Sequence, residues 1–161
     1  MLFRSNQAVY GGGIWGGEIR SNGLFAGNTE LVNLTIANNI GNGVYVHFGA
    51  VSLRNVLFAN NDGGNCSITV DLVQKNNLSD DFTCRSFLQA DPLIGPLEDN
   101  GGPTLTHKLL PGSPAIDHAM DTAGLFTDQR NFPRPRDGSW DKISDMDIGA
   151  YEADYPEPPD D

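Results

Sequence analysis

Polar and hydrophobic residues recur in a fixed order over the first 61 residues of the chain. Four segments each carry two mostly apolar residues, two small or polar residues and then Asn: LFRSN (2–6), LFAGN (24–28), TIANN (35–39) and LFANN (57–61). The closing asparagines are separated by 22, 11 and 22 residues, and the last two segments also match upstream, where LVNL (31–34) aligns with LRNV (53–56). This predicts a repeat of about 22 residues that contains short strands separated by Gly or Asn corners.

Such a repeat is typical of an all-β parallel solenoid, a β-helix with about 22 residues per coil. A single coil cannot bury its apolar side chains, so equivalent positions stack along the axis and fill the interior. Asn at a corner tolerates a left-handed backbone and can bond to the Asn of the next coil. We expect one interior row to contain Phe3, Phe25, Ile36 and Phe58, and we take the 11-residue step as a coil that has lost one side. A β-sandwich with regularly spaced turns is the alternative.

The glycine-rich stretch AVYGGGIWGG (8–17) predicts a further corner of the same kind. Gly11–Gly13 would make the turn, with Ile14 directed inward and Trp15 outward. Aromatic and polar residues recur at the equivalent place one repeat later, in VYVHF (44–48). They suggest an outward contact patch, or simply stacked ladder residues: Trp15, Tyr45, His47 and Phe48.

After residue 61 the repeat stops, and prolines become frequent. Proline interrupts regular strand pairing, so we expect an irregular Pro/Gly-rich cap that protects the end of the stack. TLTHKLL (104–110) predicts a strand along the last coil, and DIGAYE (147–152) predicts another, with Ile148 and Tyr151 on opposite faces. The chain therefore divides into three predicted parts: coils at 1–75 that begin within a coil, a capping region packed on the last coil at 76–153, and an acidic Pro-rich linker at 154–161.

Composition and charge narrow the function classes. The 161 residues suffice for one domain with a core, and 19 Gly with 10 Pro disfavour helices. Residues 1–90 carry six acidic and five basic side chains, a net of −1, whereas residues 91–161 carry fifteen and five, a net of −10. Such a surface repels nucleic acid and anionic membranes. No apolar run is long enough to span a membrane.

Several later segments carry a resemblance to a known family: NNDGGNCS, KNNLSDDFTC, DPLIGPLEDNGGPTLTHKLLPGSPAIDHA, DQRNFPRPRDG and DIGAYE. They resemble the C-terminal portion of bacterial right-handed parallel β-helix surface proteins of the polymorphic outer-membrane type, which often end in a sorting or anchoring segment. The resemblance is strongest over residues 91–119. It implies a right-handed β-helix, export, and an extracellular or cell-surface location, with the signal peptide and anchor outside this fragment. It implies no established reaction.

The two cysteines bracket the transition from repeat to cap. In an exported protein, an even number of cysteines at such a place predicts a disulfide, here between Cys66 and Cys84. Two free buried thiols are the alternative. No His lies at the spacing of a zinc site.

Four acidic residues lie within eleven positions near the end of the chain. The sequence DGSWDKISDMDIGAYE stands where the family often carries an Asp/Gly-rich loop followed by Cys. Carboxylates at this density are candidate Ca²⁺ ligands: Asp137, Asp141, Asp145 and Asp147. Solvated turn residues, partly paired with the nearby arginines, are the other interpretation. We expect no other cofactor.

The predicted function is a non-catalytic extracellular or cell-surface module for adhesion, display or assembly, within a longer secreted bacterial protein. Its partner would be a surface ligand, a glycan or a protein, and the open N-terminal edge could mediate self-association. No catalytic residues are predicted, and Asp117 is expected to pair with Arg130 or Arg134. The alternative function is the C-terminal part of a polysaccharide lyase or hydrolase whose active face lies upstream.

Overall fold

The structure, a computed structural model, describes residues 29–120, 124–139 and 142–155, together with the strand backbone at 2–4, 14–16, 18–20, 23–25 and 28. In these parts every regular element is a β-strand, as the sequence predicts. The strands are short because a Gly or Asn corner follows most of them. Their bounds are β1 Leu2–Arg4, β2 Ile14–Gly16, β3 Glu18–Arg20, β4 Gly23–Phe25, β5 Asn28–Val32, β6 Thr35–Ala37, β7 Val44–Val46, β8 Ala50–Arg54, β9 Leu57–Ala59, β10 Cys66–Ile68, β11 Leu72–Lys75, β12 Leu78–Ser79, β13 Leu88–Gln89, β14 Ile94–Glu98 and β15 Thr106–Leu109.

Eleven of these strands pair in parallel to form three sheets. The first sheet has the order β1-β6-β9-β12-β13, the second β2-β7-β10 and the third β5-β8-β11. From β6 to β11 the chain visits the first, second and third sheets in turn, twice over. Ile36 is the register partner of Phe58, and Leu31 that of Leu53, each 22 residues apart. The predicted all-β class, the parallel pairing and the 22-residue advance are therefore confirmed.

The predicted interior row is correct for three of its four members. Phe3, Ile36 and Phe58 lie in register across the first sheet, and the last two side chains are fully buried. Phe25 is wrong, because it lies in β4, which pairs antiparallel with β3 opposite Glu18. The 11-residue step is thus a local hairpin rather than a shortened coil. The predicted corner at Gly11–Gly13 and the direction of Ile14 lie outside the described residues.

Asparagine performs both predicted tasks at the corners. Asn55 Nδ2 donates to Asn33 Oδ1 at 2.8 Å, and Asn39 Nδ2 donates to Asn61 Oδ1 at 2.8 Å. Where two asparagines follow each other, the tasks are divided, because the first residue takes the left-handed backbone and the second forms the ladder. The left-handed conformation occurs at Asn33 (φ 51°), Asn38 (φ 56°), Asn55 (φ 53°) and Asn60 (φ 55°).

The first sheet is buried on both faces. Its inner face packs against the second and third sheets, around Ile36 and Phe58. Its outer face packs against the C-terminal residues in a second hydrophobic core that includes Leu57, Leu109 and Ile148. All three residues of β6 and all three of β9 are therefore buried. A strand covered on both sides needs a continuous apolar run rather than an alternating one, which fits the sequence LFA at 57–59.

The C-terminal residues contain one sheet of their own. Strand β15 exists as predicted, but it pairs antiparallel with β14 and not with the last coil. Residues 147–152 do not form a strand, and Ile148 and Tyr151 share the outer core instead of lying on opposite faces. The backbone there follows separate anchors, because Gly149 N donates to Asn55 O at 3.0 Å with φ 109°. A Cβ at Gly149 would lie 2.8 Å from Thr35 Oγ1, so the close approach requires glycine.

Two different segments cover the stack. Residues 80–87 cross its end, where Phe87 is buried and its ring centroid lies 5.9 Å from that of Phe58. The later C-terminal residues instead lie along the outer face of the first sheet, since Ala150 N donates to Thr35 Oγ1 at 3.0 Å. The cap that the sequence predicts on the last coil is thus only the short 80–87 segment, whereas most of the C-terminal region lies on the flank.

Candidate functional site

The predicted disulfide between Cys66 and Cys84 is present, with a Cα–Cα distance of 5.0 Å. Cys66 begins β10, and Cys84 lies in the 80–87 segment, which we call the end loop. The bond closes 18 residues and fastens the end loop over the inner core. A closed loop of this size stabilises the fold by about 3 kcal/mol in the chain-entropy model.

Side chains fasten the end loop at a second point. Asp81 Oδ1 accepts hydrogen bonds from Thr83 N at 3.0 Å and from Thr83 Oγ1 at 2.6 Å. Thr83 Oγ1 in turn accepts from Cys66 N at 3.0 Å, and Asp81 Oδ2 accepts from Asn65 N at 2.9 Å. The backbone donors at the start of β10 are therefore satisfied by the loop rather than by another strand.

A cavity of about 660 Å³ lies between the end loop and strands β10 and β11. We call it the loop cavity. Its wall combines apolar, hydroxyl and amide groups with one ionisable side chain, that of Arg85. The residues that matter for its chemistry are Ser67, Ile68, Thr69, Leu72, Ser86 and Arg85.

The loop cavity also borders the open edges of two sheets. Val44 N donates to Asn65 O and Thr69 N donates to Val46 O, so the odd-numbered residues of β10 face β7. By the alternation of a parallel ladder, the backbone N–H and C=O of Ile68 face the open edge. In β11, Asn55 N donates to Lys75 O, which places the backbone groups of Leu72 on the open edge as well. The cavity thus has backbone donors and acceptors beside its side chains.

The structure brings together part of the predicted aromatic patch. The rings of Tyr45 and His47 stack with centroids 4.0 Å apart and planes 6° apart. His47 Nε2 lies 3.0 Å from Ser67 Oγ, a contact that the sequence did not indicate. Trp15 is in backbone register with Tyr45, but its side chain lies outside the described residues, and Phe48 is half-buried. A binding role for these residues stays a prediction.

The predicted calcium ligands occupy different environments. Asp147 is fully buried, and its carboxylate accepts from Asp117 N at 2.8 Å and Ala153 N at 2.5 Å. Asp145 is exposed, Asp137 accepts from Lys142 N at 2.9 Å, and Asp141 lies outside the described residues. In the part of the chain that can be described, no three His, Cys, Asp or Glu residues are arranged to hold a metal ion. Calcium binding stays a prediction.

The C-terminal region contains a buried ionic cluster that the sequence did not reveal. Arg130 Nε lies 2.8 Å from Asp128 Oδ2, and Arg134 Nε lies 3.3 Å from Glu152 Oε2. The expected pairing of Asp117 with Arg130 or Arg134 is wrong, because Asp117 Oδ1 accepts instead from Gly138 N at 3.4 Å. Asp128 is the better placed partner, since its Oδ1 also accepts from Arg130 N at 2.7 Å in a local turn.

Burial changes the proton affinity of two carboxyl groups in this cluster. Burial, reinforced by the charge of Glu152, raises the pKa of Asp147 to about 8. Burial also raises the pKa of Glu152 to about 7, although the charge of Arg134 opposes the shift. The guanidinium of Arg130 stacks 3.6 Å from the ring centroid of Tyr151 and donates to Glu152 O at 2.6 Å. These contacts join distant parts of the region, and the cluster therefore acts as a structural crosslink.

Comparison with known proteins adds no identification. No protein-family model matches the chain, and no curated protein or solved structure has significant similarity to it. Among the residues that the structure describes, none forms a helix with the length and hydrophobicity needed to cross a membrane. The case for a function therefore depends on the geometry of the chain itself.

Proposed function

We propose that the chain is the C-terminal part of a right-handed parallel β-helix protein of the cell surface or extracellular space, and that it acts as a non-catalytic module for adhesion, display or assembly. The observation that carries this proposal is the order of the strands. Successive strands add to three parallel sheets in rotation and return to the first sheet after 22 residues. That connectivity is the one expected of stacked coils. The family resemblance of residues 91–119 supports the right-handed winding and the C-terminal position.

The disulfide supports an extracellular location. Bonds such as Cys66–Cys84 form and persist mainly in oxidising compartments, and they are rare in proteins of the bacterial cytosol. Because this bond fastens the end loop over the inner core, it contributes to the fold rather than serving as an exposed redox group.

The distribution of ionisable groups favours binding over catalysis. Hydrolysis of a glycosidic bond needs two carboxyl groups across an open groove, and lyase chemistry needs a base near the abstracted proton. The loop cavity offers one guanidinium, and the buried carboxylates Asp128 and Glu152 are engaged by Arg130 and Arg134. A rigid surface that binds without turnover fits this arrangement better.

The outer face of the second sheet is the surface best placed for such binding. The first sheet is covered on its outer side, whereas the stacked Tyr45 and His47 rings are partly exposed. Stacked aromatic side chains provide contact area at small entropic cost, so we assign the display role to this face.

The experiment combines a binding assay with a product assay on the purified chain. Immobilised polysaccharides and host-surface proteins are tested for retention of the chain, and reducing ends and unsaturated sugars are measured in the supernatant. We expect retention without product, and a loss of retention in the Tyr45→Ala/His47→Ala double variant. A matched control is Val73→Ala on the exposed face of the third sheet, which should bind normally. Release of sugar products would contradict the proposal, as would an experimental structure in which the strands do not wind as coils.

A further inference from the structure

Arg85 differs from the other arginines of the described chain. The structure describes the side chains of five arginines, and four of them lie within 4.0 Å of a carboxylate: Arg54, Arg130, Arg134 and Arg136. Arg85 makes no ion pair with any residue that the structure describes, although the chain carries a net charge of −11. It lies instead in the wall of the loop cavity, with an exposed side chain. A planar guanidinium without a partner is well suited to bind an external carboxylate in a bidentate manner.

The rest of the loop cavity matches the surface of a sugar. Ser67, Thr69 and Ser86 supply hydroxyl groups, and Ile68 and Leu72 supply apolar surface as well as the backbone groups of the open sheet edges. A pyranose ring presents hydroxyl groups around its rim and C–H groups on its faces, so it needs both kinds of contact. The volume of about 660 Å³ lies within the range of small-molecule sites, roughly 300–1,000 Å³.

We propose that the loop cavity binds a carboxylate-bearing oligosaccharide, with Arg85 bound to the carboxylate and the hydroxyl and backbone groups bound to the sugar rings. The inference deepens the proposed function, on which it rests, by giving the display module a second site and a ligand class. The ligand is bound and released without covalent change. The disulfide sets the position of one wall, because Cys84 directly precedes Arg85.

The test is a calorimetric and NMR titration of the chain with a trimer of galacturonic acid and with its fully methyl-esterified form. We expect saturable binding of the acid and at least tenfold weaker binding of the ester, since one charge-assisted bond carries about this much affinity. Arg85→Gln should weaken binding of the acid about tenfold and leave binding of the ester unchanged. Arg54→Gln is the matched control, because it also removes an exposed arginine, one already paired with Glu30 at 3.3 Å, and it should leave both titrations unchanged.

Several results would overturn the inference. Equal affinity for acid and ester would remove the role of Arg85, and so would an Arg85→Gln variant that binds normally. A flat titration, or amide shifts at Ile68 and Leu72 produced only by extended apolar peptides, would reassign the cavity to strand addition along its edge. These results leave the display function intact when no sugar product forms. Product formation alone contradicts the display function and leaves the Arg85 titration to stand by itself.

Discussion

The repeat and the C-terminal region satisfy their buried polar groups in opposite ways. In the repeat, backbone groups pair along three parallel sheets, and the corners are closed by neutral amides such as Asn33 and Asn55. In the C-terminal region strands are few, and arginines reach the free carbonyl groups, as Arg134 Nη2 does when it donates to Gly149 O at 2.8 Å. A regular ladder supplies each group with a partner from the next repeat. An irregular backbone must recruit long charged side chains, which then need buried counter-ions.

The largest expected effect concerns pH and is confined to the C-terminal region. Asp147 and Glu152 have raised pKa values in the folded chain, so the folded state binds protons more tightly than the unfolded state. Their contribution to stability is therefore complete below about pH 4 and is lost as pH rises through about 7 to 8. A tenfold difference in proton affinity between the two states corresponds to about 1.4 kcal/mol, so the two carboxyl groups together should lose several kcal/mol. Denaturant unfolding at pH 5 to 9 measures the slope.

The control for this prediction is Asp147→Asn. The new amide cannot accept both backbone hydrogen bonds, so the variant should be less stable at every pH, but its stability should depend less on pH. A wild-type stability that rises steadily from pH 5 to 9 would show that the cluster does not hold a proton at neutral pH.

The next largest effect is expected for Arg130→Met. Arg130 and Asp128 are almost completely buried, and removal of the guanidinium leaves Asp128 as a buried charge without its partner. Breaking a buried pair in this way costs about 3–5 kcal/mol in the free energy of unfolding. Arg54→Met removes a partner from the half-exposed pair with Glu30 in the repeat and should cost about 0–1 kcal/mol. Similar losses for the two variants in urea unfolding would refute the contrast between the regions.

Removal of the disulfide should have an intermediate effect. The Cys66→Ala/Cys84→Ala double variant loses the constraint on the end loop and should unfold with about 3 kcal/mol less free energy. Amide exchange should accelerate at residues 80–87 and in β10, while the C-terminal cluster keeps its protection. Uniform acceleration across the whole chain would mean that the end loop has no local role.

The smallest effect concerns the amide ladder. Asn55 donates to Asn33 and to Met120 O, and its φ of 53° is unfavourable for other side chains. Asn55→Ala should cost about 2 kcal/mol by removing these bonds and leaving the left-handed backbone. Asn55→Gly should cost about 1 kcal/mol less, since glycine accepts this φ. Identical melting curves for the two variants would show that the backbone conformation carries no cost.

Local features of the fold could be predicted from the sequence, and contacts between distant segments could not. The 22-residue spacing predicts the pairing of Ile36 with Phe58, because stacked repeats place equal positions side by side. The same spacing misplaces Phe25, since it does not detect a local hairpin. The covered outer face had a usable signal in the continuous run LFA at 57–59. The pairing of Arg134 with Glu152 had none, because only the path of the irregular backbone brings them together.

The candidate site divides in the same way. The disulfide was predicted because cysteine chemistry leaves few alternatives, and Tyr45 and His47 were found through their place in the repeat. The loop cavity was not predicted, since its opposite walls come from β10–β11 and from an end loop that belongs to no repeat. Arg85 gained significance only when its lack of a carboxylate partner among the described residues could be seen.

The position of the C-terminal region on the flank also has a mechanical consequence. A stack of parallel strands pulled along its axis loads the hydrogen bonds between neighbouring strands one after another, so the weakest interface limits the strength. Here the same flanking region bonds to Thr35 at β6 and to Asn55 before β9, and it packs against Leu78 of β12. Separation of these strands therefore requires the flank to detach at several points at once, which raises the rupture force above that of one strand interface.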